Sequence, residues 1–375
     1  MTKKYSGKEI IRAGEIFIEN DILEDQEKFD KAFKVLSYWR FSHEKPLETA
    51  FYLLQKVTTK KDRSAIFAKR LKRYISIIFK LKRFSGMKLK NMQDIGGCRA
   101  IVSNEKKAQQ IIRELKKHKE FIAESGRKRF KDYIKTPKYD GYRGYHLIGK
   151  FDADDGDKKN IEIQIRTRLQ HDWATTVEIV DLFTDQALKS NQGDDNWKDF
   201  FYGISEQFAL MDKIHLFESR NLDEKFKLYQ KQFYSNVEKK PTLIESIAKT
   251  AVRAAQLDVI KLLEAYANSL NIADSHIEKK QLDGYVLLEV NTKESAVYST
   301  FFRKEDSSEA EKLYVEAEKK SASKEELVVA LVSTTAVGDI KKAYPNYFAD
   351  STDFLEHLAL VLSLAVKIKK NSTST

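Results

Sequence analysis

Two runs of residues in this chain could do chemistry together. The first is Asp132-Tyr-Ile-Lys-Thr-Pro-Lys-Tyr-Asp-Gly-Tyr-Arg-Gly-Tyr-His146, and the second, after 14 intervening residues, is Ile161-Glu-Ile-Gln-Ile-Arg-Thr167. In the second run Ile161, Ile163 and Ile165 alternate with Glu162, Gln164 and Arg166. A strand would bury the isoleucines and turn a carboxylate, an amide and a guanidinium to the other face. The first run closes on Gly141-Tyr142-Arg143-Gly144-Tyr145-His146, where two glycines permit a tight backbone and Tyr142 and His146 can face a planar ligand. Together these groups suit a phosphate-bearing ligand with a flat base. The same pattern taken alone also describes an ordinary solvated sheet face.

The charge distribution weights the first reading. The net charge is +11, and between Lys60 and Lys90 there are twelve basic residues against one acid, Asp62. So lopsided a segment points to a polyanionic ligand rather than to a face neutralised by ion pairs. A nucleoside triphosphate needs only a few of these cations, and the surplus keeps RNA in play.

The elements that must position these groups can be read coarsely. Residues 6 to 58 have helical spacing, with Pro46 near the start of a second helix. A basic helix follows. Then come a strand from Cys98 to Val102, a helix from Lys106 to His118, and strands from Tyr145 to Phe151 and Ile161 to Arg166 around an acidic turn, Asp152 to Asp157. Residues 168 to 234 are again helical, interrupted at Gln192-Gly-Asp-Asp195. After Lys240-Pro241 the pattern is helical to about residue 270. It continues as a hairpin of Tyr285 to Val290 and Ala296 to Phe302, a helix from Ser308 to Lys320, a strand from Leu327 to Ser333, and helices at Val337 to Ala343 and Asp353 to Lys369.

The expected fold class is α+β: a mixed β-sheet domain flanked by helices, followed by a small C-terminal α+β module. The expected divisions are a helical lead-in (1–58), the sheet domain with its trailing helices (59–235), and the module (241–375), for which a regulatory or partner-binding role is expected. Nothing in the last segment has metal-ligand spacing or a glycine-rich phosphate loop. Cys98 is the only cysteine, which excludes an intramolecular disulfide and fits a reducing cytoplasm. The N-terminus leads into a charged helical pattern with no apolar signal core, and the longest apolar stretch, Leu358 to Val366, is too short to span a bilayer. A membrane partner is therefore not expected.

Six motifs occur in one order: Arg70-Leu-Lys72, Ser76-Ile77, Lys80-Leu81, Asp94-Ile-Gly-Gly-Cys-Arg99, Lys131-Asp-Tyr-Ile with Pro137-Lys138 and Gly141-Tyr142, and Glu162-Ile-Gln-Ile-Arg-Thr167. Their order and spacing resemble the RelA/SpoT synthetase domain over roughly residues 60 to 185. Asp172-Trp-Ala-Thr-Thr-Val-Glu178 resembles the helix that follows this domain in small alarmone synthetases. The resemblance implies a nucleotidyltransferase-like fold and a pyrophosphokinase, in which a ribose 3′-hydroxyl attacks the β-phosphorus of ATP, AMP leaves, and Mg²⁺ bridges the phosphates.

By the same resemblance Asp94 ligates Mg²⁺, and Glu162 holds metal or takes the hydroxyl proton. Arg70, Lys72 and Lys80 stack on adenine and hold the ATP phosphates, with Arg99, Lys131 and Lys138 also on the ATP side. Tyr142 stacks on the acceptor base, and His146 and Gln164 contact the acceptor. On one helix Arg70 and Lys72 would not share a face, so at least one of them is expected where a helix begins or ends.

One position departs from the family. The acceptor loop usually reads Gly-Tyr-x-Ser, whereas this chain has Gly144 in place of the serine. That puts the identity of the acceptor in question more than the catalysis. The hydrolase of the long family members is not expected: the lead-in offers only His43, and the one His-Asp dipeptide, His171-Asp172, follows the synthetase motifs. The layout resembles fused toxins that pyrophosphorylate the tRNA 3′ end and carry an antitoxin-like domain that senses a phage protein. The expectation is therefore a tRNA-directed toxin controlled by its own C-terminal module. GDP or GTP as acceptor, giving an alarmone synthetase, is the alternative, and a catalytically inactive alarmone sensor is the second.

Overall fold

The computed structural model describes residues 4–19, 22–123, 125–126, 129–154, 156–184, 188, 193–269, 271–272, 284–291, 293–294, 296–322, 324, 326–333, 344–348 and 350–373. Three helices lead in: α1 (Gly7–Ile16), α2 (Gln26–Phe41) and α3 (Glu44–Thr59). Ser6 and Glu9 form a reciprocal capping box at the start of α1, and the Asp25 side chain accepts from Lys28 N–H to start α2. The aspartate cap divides a segment that reads as continuous helix by periodicity alone.

The basic segment expected as one helix is a strand followed by a helix, β1 (Ile66–Leu71) and α4 (Tyr74–Arg83). Arg70 lies on the strand and Lys72 in the two-residue link. Then come β2 (Gly96–Val102), α5 (Glu105–Leu115), β3 (Phe130–Asp132), β4 (Tyr145–Asp152) and β5 (Lys158–Thr167). The sheet order is β1-β2-β5-β4-β3, with β2 and β5 parallel and the other neighbours antiparallel. This is the mixed sheet with flanking helices that the sequence implies. Strand β3, only three residues long, carries too little pattern to be read in advance.

Alternation gives the sheet two different faces. Ile161, Ile163 and Ile165 are fully buried with Cys98, Ala100 and Val102 against Leu54 of α3 and Ile111 of α5. Each buried isoleucine or valine among them contributes roughly 1.5–3 kcal/mol relative to exposure. The pairing of Gly97 with Glu162 and of Arg99 with Gln164 puts the polar positions on the opposite face. That face is covered at one end by α6 (Arg168–Thr184), which continues directly from β5.

Helices α7 (Asp195–Met211), α8 (Leu222–Val237) and α9 (Thr242–Gln256) pack against one another, and α10 (Val259–Ser269) follows. A second sheet has β6 (Asn271–Ile272), β7 (Gly284–Asn291), β8 (Ala296–Arg303) and β9 (Leu327–Ser333) in the order β6-β8-β7-β9, with α11 (Ser307–Ala322) packed on it. The helix expected at Val337 to Ala343 lies outside the described residues. A 3-10 turn at Pro345–Phe348 and the terminal helix α12 (Thr352–Thr373) close the chain.

The apolar stretch of α12 is buried, as a helix that is apolar nearly all round must be. Leu358, Val361 and Leu364 are fully enclosed, while Val366 turns to solvent. α12 packs on α6, α7, α8 and α9, so its residues share one core with Phe200, Phe233 and Leu243. Among the described residues no helix is long and apolar enough to cross a membrane.

Candidate active site

While Ile77 is buried in the core of the lead-in helices, residues of three of the six motifs, Arg70-Leu-Lys72, Asp94-Ile-Gly-Gly-Cys-Arg99 and Glu162-Ile-Gln-Ile-Arg-Thr167, meet on the polar face of the first sheet. They line a cleft of about 130 Å³ formed by Lys69, Arg70, Lys72, Asp94, Gly97, Arg99, Glu162, Gln164, Arg166, Glu178 and Tyr344, among others. That is small beside the ~300–1,000 Å³ usual for ligand pockets.

Asp94 sits in the link before β2, and two lysines converge on it. Lys72 Nζ donates to Oδ2 at 3.0 Å and Lys80 Nζ to Oδ1 at 2.8 Å. Lys72 is placed there by its own backbone, whose N–H donates to Ile95 O at 2.7 Å and extends the β1–β2 pairing past the strand end. Lys80 reaches across from α4. Burial alone would raise the Asp94 carboxyl, but the two ammonium groups hold it below its ordinary range. Burial and the neighbouring Lys80 and Arg70 lower Lys72, with Asp94 opposing them. This triad is a compact charge cluster with its counter-ions supplied internally.

Across the cleft a second chain of hydrogen bonds centres on Glu162. His146 Nδ1 lies 2.8 Å from Oε1, and Gln164 Nε2 donates to Oε2 at 2.6 Å. A carboxylate only accepts, so Nδ1 carries a proton, and in the neutral ring Nε2 accepts from the Tyr142 hydroxyl at 2.6 Å. Arg166 Nη2 donates to Gln164 Oε1 at 2.9 Å, continuing the chain along β5. Glu162 is enclosed, and burial would raise it. His146, Gln164 and Lys72 outweigh that and hold it well below the ordinary carboxylate range.

The loop before β4 is fixed from behind. Arg143 Nε donates to Ser205 Oγ at 3.1 Å, and Ser205 Oγ donates to Gly141 O at 2.5 Å. Gly141 has φ +90°, and a Cβ there would meet Tyr202 Cα at 3.1 Å, so glycine is required on both counts. A Cβ on residue 144 would meet the Tyr142 hydroxyl oxygen at 3.0 Å and Arg166 Cγ at 3.4 Å. Gly144 thus spares the Tyr142–His146 hydrogen bond the crowding that the family's serine would bring here.

Of the residues singled out by sequence, Arg70, Lys72, Asp94, Arg99, Glu162 and Gln164 line the cleft, with Lys80 bound to Asp94. Crowding by burial, Arg166 and Arg70 pushes Arg99 down to about 10. Tyr142 and His146, expected to meet the acceptor, stand together beside Glu162. Lys138 is there too, its ammonium 4.8 Å and 4.7 Å from the ring centroids of Tyr133 and Tyr142. Lys131 is exposed on the edge strand β3, opposite His146 in register and outside the cleft lining. The basic segment is less free than its composition suggests. Lys69 pairs with Glu48, Lys72 and Lys80 with Asp94, and Lys88 with Glu15 at 2.7 Å. Those acids come from elsewhere in the chain, which local charge counting does not see.

Sequence reasoning gave no particular role to Arg166 or Glu178 and did not single out Tyr344 or Tyr347. Arg166 had a signal, the shared alternation with Glu162 and Gln164. The tyrosines had none, because their role depends on a contact across 275 residues. Tyr344 is buried, accepts from Lys69 N–H at 3.0 Å and donates to Lys69 O at 2.7 Å. Tyr347 Oη accepts from Arg70 Nη1 at 3.3 Å.

Residues 69–179 match the family model described as the region found in RelA / SpoT proteins. It is 33% identical over 115 residues to the GTP pyrophosphokinase YwaC of Bacillus subtilis, a match covering 28% of this chain and 52% of that protein. It is 36% identical over 80 residues to a putative ankyrin repeat protein of Rickettsia felis, covering 21% of this chain and 6% of that one. The chain thus spans about half the length of the first of these relatives and a small part of the second. Among solved structures it is similar to small alarmone synthetase 1 of Bacillus subtilis, at 24% identity and a TM-score of 0.40 over 47% of this chain and 91% of that one. A GTP pyrophosphokinase family protein from Streptococcus pneumoniae is similar at 22% identity and a TM-score of 0.40, over 51% and 95% respectively.

Proposed function

We propose that the chain is an ATP-dependent pyrophosphokinase that transfers the β,γ-pyrophosphate of ATP to a ribose 3′-hydroxyl, with the tRNA 3′ end as acceptor. The observation that carries this reading is the facing of two clusters across one cleft, Lys72–Asp94–Lys80 and Tyr142–His146–Glu162. Arg70 and Arg99 flank the adenine side, and Lys72, Lys80 and Arg99 meet the phosphates. Tyr142 takes the acceptor base, while His146 and Gln164 orient its ribose. The 3′-oxygen bonds to the β-phosphorus as the bond from that phosphorus to the bridging oxygen breaks, and AMP leaves with the electron pair. The hydroxyl proton passes to Glu162.

The donor set fits Mg²⁺. Among the described residues no group of three or more His, Cys, Asp or Glu is placed to hold a metal alone. Mg²⁺ is ordinarily held by one or two carboxylates, with substrate phosphates and water completing its shell. Asp94 and Glu162 are the two carboxylates that would hold it, and when bound it neutralises charge on the transferred phosphates.

Tyr344 and Tyr347 support control by the C-terminal segment, because they bond to Lys69 and Arg70 in the same cleft. In this reading the chain is a cytoplasmic toxin held closed by its own module and released when a phage protein engages that module. The match to YwaC, a GTP pyrophosphokinase by name, favours the second reading, with GDP or GTP as acceptor. Supplying γ-labelled ATP with tRNA, GDP or GTP tests it: label on tRNA that is lost in Asp94→Asn is expected, and label confined to GDP or GTP would transfer the assignment to an alarmone synthetase.

A further inference from the structure

Beside the acceptor loop lies an aromatic surface that the cleft chemistry does not use. Tyr139, three residues before Tyr142, is 61% exposed, and Phe79 on α4 is also 61% exposed. Exposed rings occur elsewhere on this chain, and what sets these two apart is that a single arginine, Arg83, stands with both of them. Arg83 Nη2 donates to the Tyr139 hydroxyl at 3.1 Å, which ties the loop to the end of α4 and fixes the ring facing outward. The Arg83 guanidinium also lies 5.3 Å from the ring centroid of Phe84, itself half exposed. Phe79 precedes Arg83 by one helical turn and shares its face of α4. Arg83 thus stands between the loop that carries Tyr139 and the helix face that carries Phe79.

Resting on the tRNA reading above, we propose that Tyr139 and Phe79, joined by Arg83, form a stacking rim for the unpaired nucleotides that precede the reacting 3′-terminal ribose of an RNA. A single nucleotide would be satisfied by Tyr142, His146 and Lys138 and would leave the rim in water. A polynucleotide continues past the pocket and carries one phosphate per residue for Arg83 and Lys138, with further bases for the exposed rings. Aromatic faces accept any base, so the rim recognises a single-stranded end by its form rather than its sequence.

The test is binding of the full-length protein to a fluorescently labelled RNA hairpin, with and without a four-nucleotide single-stranded 3′ tail, alongside a labelled GTP analogue. The wild type is expected to prefer the tailed hairpin. Tyr139→Ala and Phe79→Ala are each expected to reduce that preference about tenfold, while GTP binding and the salt dependence stay unchanged. Tyr139→Phe, which keeps the ring, retains most of it. Equal weakening of tailed and blunt hairpins, or no change in either, overturns the rim and leaves the tRNA reading standing. A wild type that does not distinguish the two hairpins overturns both. A change in sedimentation on Phe79→Ala, with tail preference intact, would make the surface a contact between copies of the chain.

Discussion

One phenolic oxygen, that of Tyr344, satisfies both backbone polar groups of Lys69, accepting from its N–H at 3.0 Å and donating to its carbonyl at 2.7 Å. Lys69 lies on β1, the edge of the first sheet, where these groups point away from the neighbouring strand. The C-terminal segment thus completes an edge that would otherwise need water or another strand.

Tyr344→Phe keeps the ring and removes both hydrogen bonds. Leaving a buried backbone group unsatisfied costs roughly 1–3 kcal/mol, equivalent to about a five- to 150-fold shift toward an open cleft. Pyrophosphate transfer by the full chain is expected to rise accordingly in a steady-state assay. Unchanged transfer would show that the contact does not restrain the enzyme.

Asp94→Asn and Glu162→Gln remove charge without changing volume. Each is expected to lower transfer by at least about two orders of magnitude while circular dichroism is unchanged. Wild-type turnover in either variant contradicts the roles given to them.

The first core was legible from the isoleucine alternation and the tight loop before β4 from its glycines, because both are local patterns. Motif order brought Asp94 and Glu162 into view, and the fold places both in one cleft. What was not legible depends on distant partners. Glu15 and Glu48 neutralise parts of the basic segment, and Tyr344 fills part of the cleft. α12 shares a core with α7 and α9, which no periodicity reveals. Cutting the chain near Lys240 would therefore strip apolar cover from Phe200 and Phe208, making point substitution the cleaner probe of control.

Glu318 of α11 joins three parts of the molecule. It pairs with the fully buried Arg40 of α2, accepts from Tyr314 Oη at 2.6 Å, and accepts from Tyr74 N–H at 2.9 Å at the start of α4. Glu318→Ala leaves the Arg40 charge buried and unpaired, and is expected to lower stability by about 3–5 kcal/mol in denaturant unfolding. A loss under about 1 kcal/mol would mean that Arg40 finds water or another partner.

Burial pushes the Asp212 carboxyl up to about 7, although Thr167 and Gln170 bond to it at 2.7 Å and 3.2 Å. In the unfolded chain it returns to ~3.9. Between these values the folded state holds a proton that the unfolded state has lost, so its contribution to stability falls as pH rises from about 4 to 7 and then levels. Asp212→Asn is expected to flatten that limb of the stability profile. An identical slope in wild type and variant would place the titration elsewhere.

The assignment is tested most directly by supplying the full-length Tyr344→Phe protein with γ-labelled ATP, Mg²⁺ and equimolar tRNA and GTP together. Label is expected on the terminal ribose of tRNA, with release of AMP and no label once Asp94→Asn is added to the same chain. Label on GTP with none on tRNA would contradict the acceptor, and no transfer to either, from a folded protein that binds ATP, would contradict the enzyme.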